Sequence, residues 1–466
     1  MSEKTEGQLL AEKLMLTKKH GGKILEERQI SEAFAFCEGY KTFLNQCKTE
    51  REIVSYAAKL AINNGFTPFD SKRKYDPGDK IYYVNRGKAI ILAVIGEDEL
   101  TTGLNITAAH IDSPRLDLKQ VPLFEDSELA YFDTHYYGGI KKYQWTALPL
   151  SIHGVVAKKD GTVTEINIGD DADDPQFCVT DLLPHLAAEQ MKRTLSEAIK
   201  GEDLNLLIGS LPFKDDKASE LVKLNIMNIL YEKYDITEAD FLSAELCLVP
   251  ALRAADLGFD RSMIGSYGHD DRVCAYPSLM AILDLDTPKK TAVVVLADKE
   301  EVGSDGNTGL NSYYLKNFIA DLAKSQCFAE GRTVLSKSKC LSADVNAAHD
   351  PIYPDVLEKK NEAHCNYGVV LTKYTGSRGK SDTSDASAEF VAYVRNLFDR
   401  CGIIWQTSEL GKVDMGGGGT VAKYIAKLDV DVVDVGVPVL SMHSPFEVVA
   451  KIDVFMAYRA FWEFMN

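Results

Sequence analysis

The run Val293-Val294-Val295-Leu296, followed by Ala297-Asp298-Lys299-Glu300-Glu301-Val302-Gly303-Ser304, decides how this chain is read. The apolar residues are mostly β-branched and uninterrupted, as in a strand buried on both faces of a parallel sheet. Two adjacent glutamates stand where that strand should end, and Gly303 lets the chain turn sharply. In open α/β sheets, ligands are held at the carboxyl ends of strands. Neighbouring carboxylates repel, so two ionised glutamates in a tight site need a cation or a shared proton. Taken alone, the pair also reads as a solvated acidic loop.

The segments around this stretch share its rhythm. Ile81-Tyr82-Tyr83-Val84 and Ala89 to Ile95 predict two strands joined by the turn Arg86-Gly87-Lys88. Leu104 to Asp112 predicts a third, ending Ala108-Ala109-His110-Ile111-Asp112. Upstream, residues 31–64 read as two helices, with a capping box at Thr49-Glu50-Arg51-Glu52 and a stop at Gly65. Residues 1–30 are charge-rich, an arm on the surface or at a subunit contact. Beyond Asp112 the runs shorten and alternate to about Asp256, as in a small β domain inserted into an α/β frame. Strand–helix alternation then resumes to the end, and Ser444-Pro445-Phe446-Glu447 predicts the capped start of a last helix. The expected organisation is a mostly parallel α/β catalytic domain over 1–112 and 257–466, interrupted by an inserted mostly β domain over 113–256.

Composition narrows the function classes. With 466 residues, 45% of them hydrophobic, the chain can bury a large core. A net charge of −17 argues against a nucleic-acid or anionic-membrane partner. The nine cysteines form no C-x-x-C pair or disulfide framework, and the polar N-terminus carries no apolar leader, so the expectation is a reduced cytoplasmic protein. Neither H-E-x-x-H nor G-x-S-x-G occurs, which removes single-zinc helix proteases and elbow-type serine hydrolases. Gly379-Lys380-Ser381 imitates the end of a phosphate loop, but Tyr374 replaces its first glycine.

Five strand ends or Gly-flanked turns carry acid or imidazole: His110 with Asp112, Asp270-Asp271, Glu300-Glu301, Asp344, and His443. Imidazoles with several carboxylates suit zinc, manganese or cobalt, and the acids are too many for one tetrahedral ion. Two ions need a bridging carboxylate and leave one glutamate free as a base. Structural alternatives stand beside these: Asp344 as a helix cap, His443 as a residue before a helix, Asp270-Asp271-Arg272 as an ion-pair turn. Met415-Gly416-Gly417-Gly418-Gly419-Thr420 permits close backbone approach and can present N–H groups of Gly417 and Gly418 to a substrate main chain. His349 is a candidate for a supporting role behind Asp344.

Ala109-His110-Ile111-Asp112-Ser113-Pro114-Arg115-Leu116, Asp298 to Ser304, Ser342-Ala343-Asp344-Val345 and Ser441-Met442-His443-Ser444, in that order, resemble the signature segments of the aspartyl aminopeptidase / vacuolar aminopeptidase I family. Gly65-Phe66-Thr67-Pro68-Phe69 and Tyr137-Gly138-Gly139-Ile140 resemble further family landmarks. The resemblance implies two divalent ions, zinc first with cobalt or manganese as alternatives. It implies His110 and Asp344 on one ion, Glu301 and His443 on the other, and Asp270 across both, with Asp112 and Asp271 behind the ligands. Glu300 would take a proton from a water acidified between the ions and return it to the leaving amine. The implied activity is release of N-terminal residues from peptides, in a homo-oligomer built from dimers into a tetrahedral dodecamer through the inserted domain. His185 resembles a histidine that reaches a neighbouring subunit's site, and Lys373 is a possible contact for a substrate carboxylate. Lys141 to Leu148 departs from the family's Trp-Phe-Asp-Arg-Asp-Leu-like segment, which leaves acidic against neutral substrates open. The rival readings are a di-metal carboxypeptidase or deacylase and an inactive oligomeric scaffold.

Overall fold

The computed structural model describes residues 4–466, so Met1, Ser2 and Glu3 of the polar N-terminus lie outside the described residues. Four apolar runs pair in parallel at the centre of a nine-stranded sheet: Ala292–Ala297, Asn105–His110, Lys339–Ser342 and Asp431–Gly436. Lys80–Asn85 and Ala89–Val94 extend it antiparallel on one side, and Val369–Thr372 turns back antiparallel on the other. Period-two alternation splits these strands between two cores. Ile90, Leu92, Val94, Val294 and Leu296 face the helices Glu27–Gln46, Glu50–Asn63, His269–Leu283 and Lys451–Met465. Ile91, Ala93, Val293 and Val295 face the helix Tyr314–Cys327. With both faces covered, all six residues of Ala292–Ala297 are buried, the cause of the apolar run in the sequence.

Because the four central strands run the same way, their carboxyl ends share one edge. Pairing of Ala297 with His110 and of Ser342 with Ala108 brings the segments after each strand to one place. Strands between Arg115 and Pro250 form a separate, wholly antiparallel seven-stranded sheet with its own core around Trp145, Leu150, Phe132 and Leu248. The helix Leu221–Tyr234 packs beside it. Residues 180–205 run irregularly, with helical structure of four residues or fewer at a time, and His185 sits exposed in a turn. The Thr49 capping box forms as its pattern predicts.

The last helix corrects its sequence reading. It begins at Lys451, and Glu447–Ala450 is a strand paired antiparallel with Met263–Ser266. The Ser-x-x-Glu pattern is overridden because the Glu447 carboxylate bonds elsewhere. Near the N-terminus, Glu6–Leu14 is a helix with Leu9, Leu10 and Leu14 exposed. Among the described residues, no helix is long and apolar enough to cross a membrane.

Candidate active site

The carboxyl edge of the parallel strands opens into a cavity of about 470 Å³ lined by His110, Asp270, Glu300, Glu301, Asp344 and His443. These are the residues that the chain's strand ends single out. Asp270 is central: its Oδ1 lies 3.1 Å from His110 Nε2 and its Oδ2 3.2 Å from His443 Nε2. Asp344 Oδ1 is 3.8 Å from His110 Nε2, and Glu301 Oε1 is 3.5 Å from His443 Nε2. Metal–ligand bonds of about 2.0–2.2 Å in a tetrahedron set neighbouring donor atoms roughly 3.3 Å apart, which is the scale found here. The peptide between Asp270 and Asp271 is cis, and both residues depart from helical backbone although they open the helix His269–Leu283.

Each imidazole is oriented by a carbonyl. His110 Nδ1 donates to the Asp112 carbonyl at 3.0 Å, and His443 Nδ1 donates to the Gly139 carbonyl at 2.8 Å. Both rings therefore turn Nε2 toward Asp270, and that is the nitrogen that would give up its proton to bind a cation. The Asp112 carboxylate accepts from the backbone N–H of Glu300 at 3.0 Å and of Glu301 at 3.1 Å. The Tyr137 hydroxyl also donates to it, at 2.7 Å. Asp112 thus fixes His110 and both glutamates at once. Asp271 accepts the His110 backbone N–H through Oδ2 at 3.2 Å, while its Oδ1 has no partner.

The electrostatics of the site indicate what is needed to complete it. Burial, reinforced by neighbouring carboxylates, pushes Asp344 and Glu301 well above the usual carboxylate range. Burial likewise pushes Glu300 up to about 7. Burial opposes ionisation of Asp270, yet hydrogen bonds to the His110 and His443 rings hold its carboxyl below the ordinary value. Buried Glu301 Oε1 has no hydrogen-bond partner. Crowded acids, an orphaned carboxylate oxygen and two inward Nε2 atoms fit divalent cations and nothing neutral. Donor atoms of His110, Asp270 and Glu301, and of His110, Asp271 and Asp344, gather within 4.8 Å of one another. Glu300 belongs to neither group, so one acid of the adjacent pair stays free.

Two residues escaped the sequence. Glu447, 1% exposed, accepts the His443 backbone N–H through Oε1 at 2.7 Å and the Asp270 backbone N–H through Oε2 at 3.1 Å. It clamps the two segments that meet at Asp270. Burial, then the Asp270 charge, pushes its carboxyl up to about 8 against the pull of those two donors. Tyr137, under the Arg115 guanidinium at 4.2 Å, is the other. The Tyr-Gly-Gly pattern marked its place, but its hydroxyl partner could not be read from the chain.

Other expected residues lie elsewhere or act differently. Gly417 and Gly418 line the cavity, but their N–H groups already donate to the carbonyls of Leu410 and Thr375, so they are not free for a substrate main chain. Lys373 is bound to Asp385 at 2.9 Å and does not line the cavity. His185 does not line it in its own chain. His349 pairs with Glu362 at 3.0 Å rather than supporting Asp344. His269, adjacent to Asp270, is structural: Tyr40 donates to Nδ1, Nε2–H donates to the Ile264 carbonyl, and burial lowers its pKa to about 3.

Comparison with known proteins agrees with this chemistry. Residues 43–465 match the profile described as Aminopeptidase I zinc metalloprotease (M18). A probable M18 family aminopeptidase 1 from Clostridium acetobutylicum is 50% identical over 449 residues, covering 95% of this chain and 96% of the relative. The crystal structure of an M18 aminopeptidase from Thermotoga maritima superposes with a TM-score of 0.91 at 45% identity, covering 97% of this chain and 99% of the other. Aminopeptidase I from Clostridium acetobutylicum gives 0.90 at 46% identity, covering 97% and 100%. The S. cerevisiae mApe1 dodecamer shares the fold, with a TM-score of 0.75 at 21% identity over 94% of this chain and 97% of that one. The match decides for an aminopeptidase over the carboxypeptidase and deacylase readings. This chain belongs to the aminopeptidase I zinc metalloprotease (M18) family, whose members are metal-dependent exopeptidases.

Proposed function

We propose that this chain releases single residues from the free amino ends of peptides through a two-cation centre, with Glu300 as the proton carrier. His110 and Asp344 would hold one ion, His443 and Glu301 the other, and Asp270 would serve both. The observation that carries the reading is Asp270, whose two oxygens face the inward Nε2 atoms of two different histidines. When bound, the ions supply Lewis acidity to the attacking water and the scissile carbonyl. Zinc is the family's metal, and cobalt or manganese suits the same donors.

The chain's own groups do the rest. A Glu300 carboxylate oxygen takes a proton from the attacking water and returns it to the leaving amine. Burial raises this carboxyl above its ordinary value, which suits a group that must both take up and return a proton. The Asp112 bonds to the Glu300 and Glu301 N–H groups fix which glutamate faces the water. The Tyr424 hydroxyl, donating to the Gly303 carbonyl at 2.6 Å, holds the turn that carries both.

The same reading extends to organisation. We take residues 113–256, with their seven-stranded sheet, as an inserted dimerisation domain, and the cytoplasm as the working compartment. We take the active form as a homo-oligomer, a tetrahedral dodecamer in its full expression, supported by the fold likeness to a dodecameric relative. His185, exposed in the irregular segment of that sheet, is free to reach a second copy.

The test is metal removal and return. Chelation should abolish hydrolysis of free-N-terminal amides and leave N-acetylated ones uncleaved throughout. Zinc should restore activity as two equivalents bind per chain. Activity indifferent to chelation, or cleavage of the blocked substrates, would reject the proposal.

A further inference from the structure

A second cavity, of about 240 Å³, lies where the start of the helix Glu50–Asn63, the antiparallel sheet and the turn after Ala297 meet. It shares no lining residue with the catalytic cavity. Sites for drug-sized ligands run to roughly 300–1,000 Å³, so a fitting occupant here is small. The lining is charged, and its cations outnumber its acids in a chain whose net charge is −17. Arg51, Lys88, Arg115 and Lys299 stand against Glu50, Asp117 and Glu245.

Each of the three acids is already engaged. Glu50 accepts from Arg115 Nη1 at 2.8 Å, with Lys88 at 3.7 Å, and Asp117 accepts from Arg115 Nε at 2.8 Å. Glu245 accepts from Lys88 at 2.9 Å and from Arg51 Nε at 3.0 Å. The cations are not all so matched. Among the described residues, Lys299 has no ion-pair partner, and Arg115, 9% exposed, finds no hydrogen-bond partner for its Nη2. Ammonium and guanidinium groups donate and never accept, so the missing partner is an anion that accepts. The N-terminal end of the helix Glu50–Asn63 adds partial positive charge to the same lining. Both unmatched cations are tied to the catalytic geometry. Lys299 is one peptide bond from Glu300. Arg115 stacks on Tyr137 at 4.2 Å, and the Tyr137 hydroxyl donates to Asp112, which accepts both glutamate N–H groups.

We propose that this cavity binds a free tetrahedral oxyanion, inorganic phosphate or sulfate, through Lys299 and Arg115, and that its occupancy activates the enzyme. A bound anion fixes Lys299 and Arg115, and through them the Glu300 backbone and the Tyr137 hydroxyl. A better-held proton carrier raises kcat without changing how substrate binds. The binding stands apart from the aminopeptidase reading, and the activation rests on it.

The experiment measures binding of radiolabelled sulfate to the zinc-loaded chain by equilibrium dialysis, with ionic strength held constant by chloride. Wild type is compared with K299Q, with K299R, which keeps the charge, and with K423Q, whose lysine lines the catalytic cavity instead. Wild type should bind one sulfate per chain, displaced by inorganic phosphate. K299Q should weaken binding about tenfold or more, the scale of a lost charge-assisted hydrogen bond, while K299R and K423Q bind as wild type does. With leucyl amide, sulfate should raise kcat of wild type and K299R a few-fold at unchanged KM, half-saturating at the dialysis constant, and leave K299Q flat. No sulfate bound above the chloride background overturns the proposal, as does binding that K299Q leaves intact or K423Q removes. Binding at Lys299 with kcat unmoved overturns the activation. A zinc-loaded chain that binds sulfate as expected yet cleaves no amide rejects the aminopeptidase reading and leaves the anion site standing.

Discussion

Replacing Glu447 with Gln tests whether the two-cation geometry is held from behind. The Glu447 carboxylate gives one oxygen to the His443 N–H at 2.7 Å and the other to the Asp270 N–H at 3.1 Å. Gln keeps the shape but turns one acceptor into an NH₂ group aimed at an N–H. A buried donor left without a partner costs about 1–3 kcal/mol, roughly 5- to 150-fold in an equilibrium constant. That strain falls on the backbone of one or both segments that meet at Asp270. Loss of a group that orients metal ligands typically lowers affinity about 10- to 100-fold, inside the same range. Competition with a chromophoric chelator should show zinc affinity reduced by that factor. Activity titrated against free zinc should recover to within a few-fold of wild type at saturation, because Glu447 touches no proton in transit. Unchanged zinc affinity would refute the reasoning, and so would an activity loss that excess zinc cannot rescue.

Glu300→Gln should lower kcat by about 10²- to 10⁴-fold, the range for one general acid–base group, with metal content by elemental analysis unchanged. A fully active variant, or one that loses its metal, would reassign the base. His153 supports a pH prediction away from the metal site. It is buried between Glu52, 2.7 Å from Nδ1, and Asp170, 3.2 Å from Nε2. Burial lowers its pKa, but the two carboxylates outweigh that and hold it above 6.5. Its stabilisation is therefore complete below pH 6.5 and lost as pH rises through the folded value. Glu52 is lowered from 4.5, and Asp170 from 3.8 to about 2, so their share is complete above those ordinary values and lost in acid. The excess in denaturant midpoint of wild type over H153Q should peak between about pH 4.5 and 6.5 and shrink toward pH 9; an excess that grows with pH would contradict it.

Strand ends were legible because burial on both faces writes a simple signal. Val293 to Leu296 and Ile90 to Val94 are apolar because helices cover both sides of the sheet. A charged residue directly after such a run has few structural explanations. Glu447 was illegible for the opposite reason. In sequence it completes a Ser-x-x-Glu capping pattern, while its partner Asp270 is 177 residues away. Pairing of Glu447–Ala450 with Met263–Ser266 then overrides the local preference for a helix. The glycine run after Met415 shows a related limit. Glycines report that backbone can come close, but not where their N–H groups point, and here those of Gly417 and Gly418 turn to Leu410 and Thr375.

The second sheet is more than an attachment to the catalytic one. Tyr137 ends its strand Leu129–Tyr137, and Arg115, which begins the strand Arg115–Asp126, stacks on the Tyr137 ring. Arg115 is in turn bound to buried Glu50 at 2.8 Å, at the start of a catalytic-face helix. Through the Tyr137 hydroxyl this sheet supports Asp112, and through the Gly139 carbonyl it orients His443. Two of the groups that aim the candidate ligands therefore come from the end of a strand of this sheet, Tyr137, and from the bend just beyond it, Gly139. A shift of that sheet relative to the parallel strands would loosen Asp112 and His443 together, and with them both sides of Asp270. A subunit contact made through that sheet would therefore reach the candidate ligands through the Tyr137 hydroxyl and the Gly139 carbonyl.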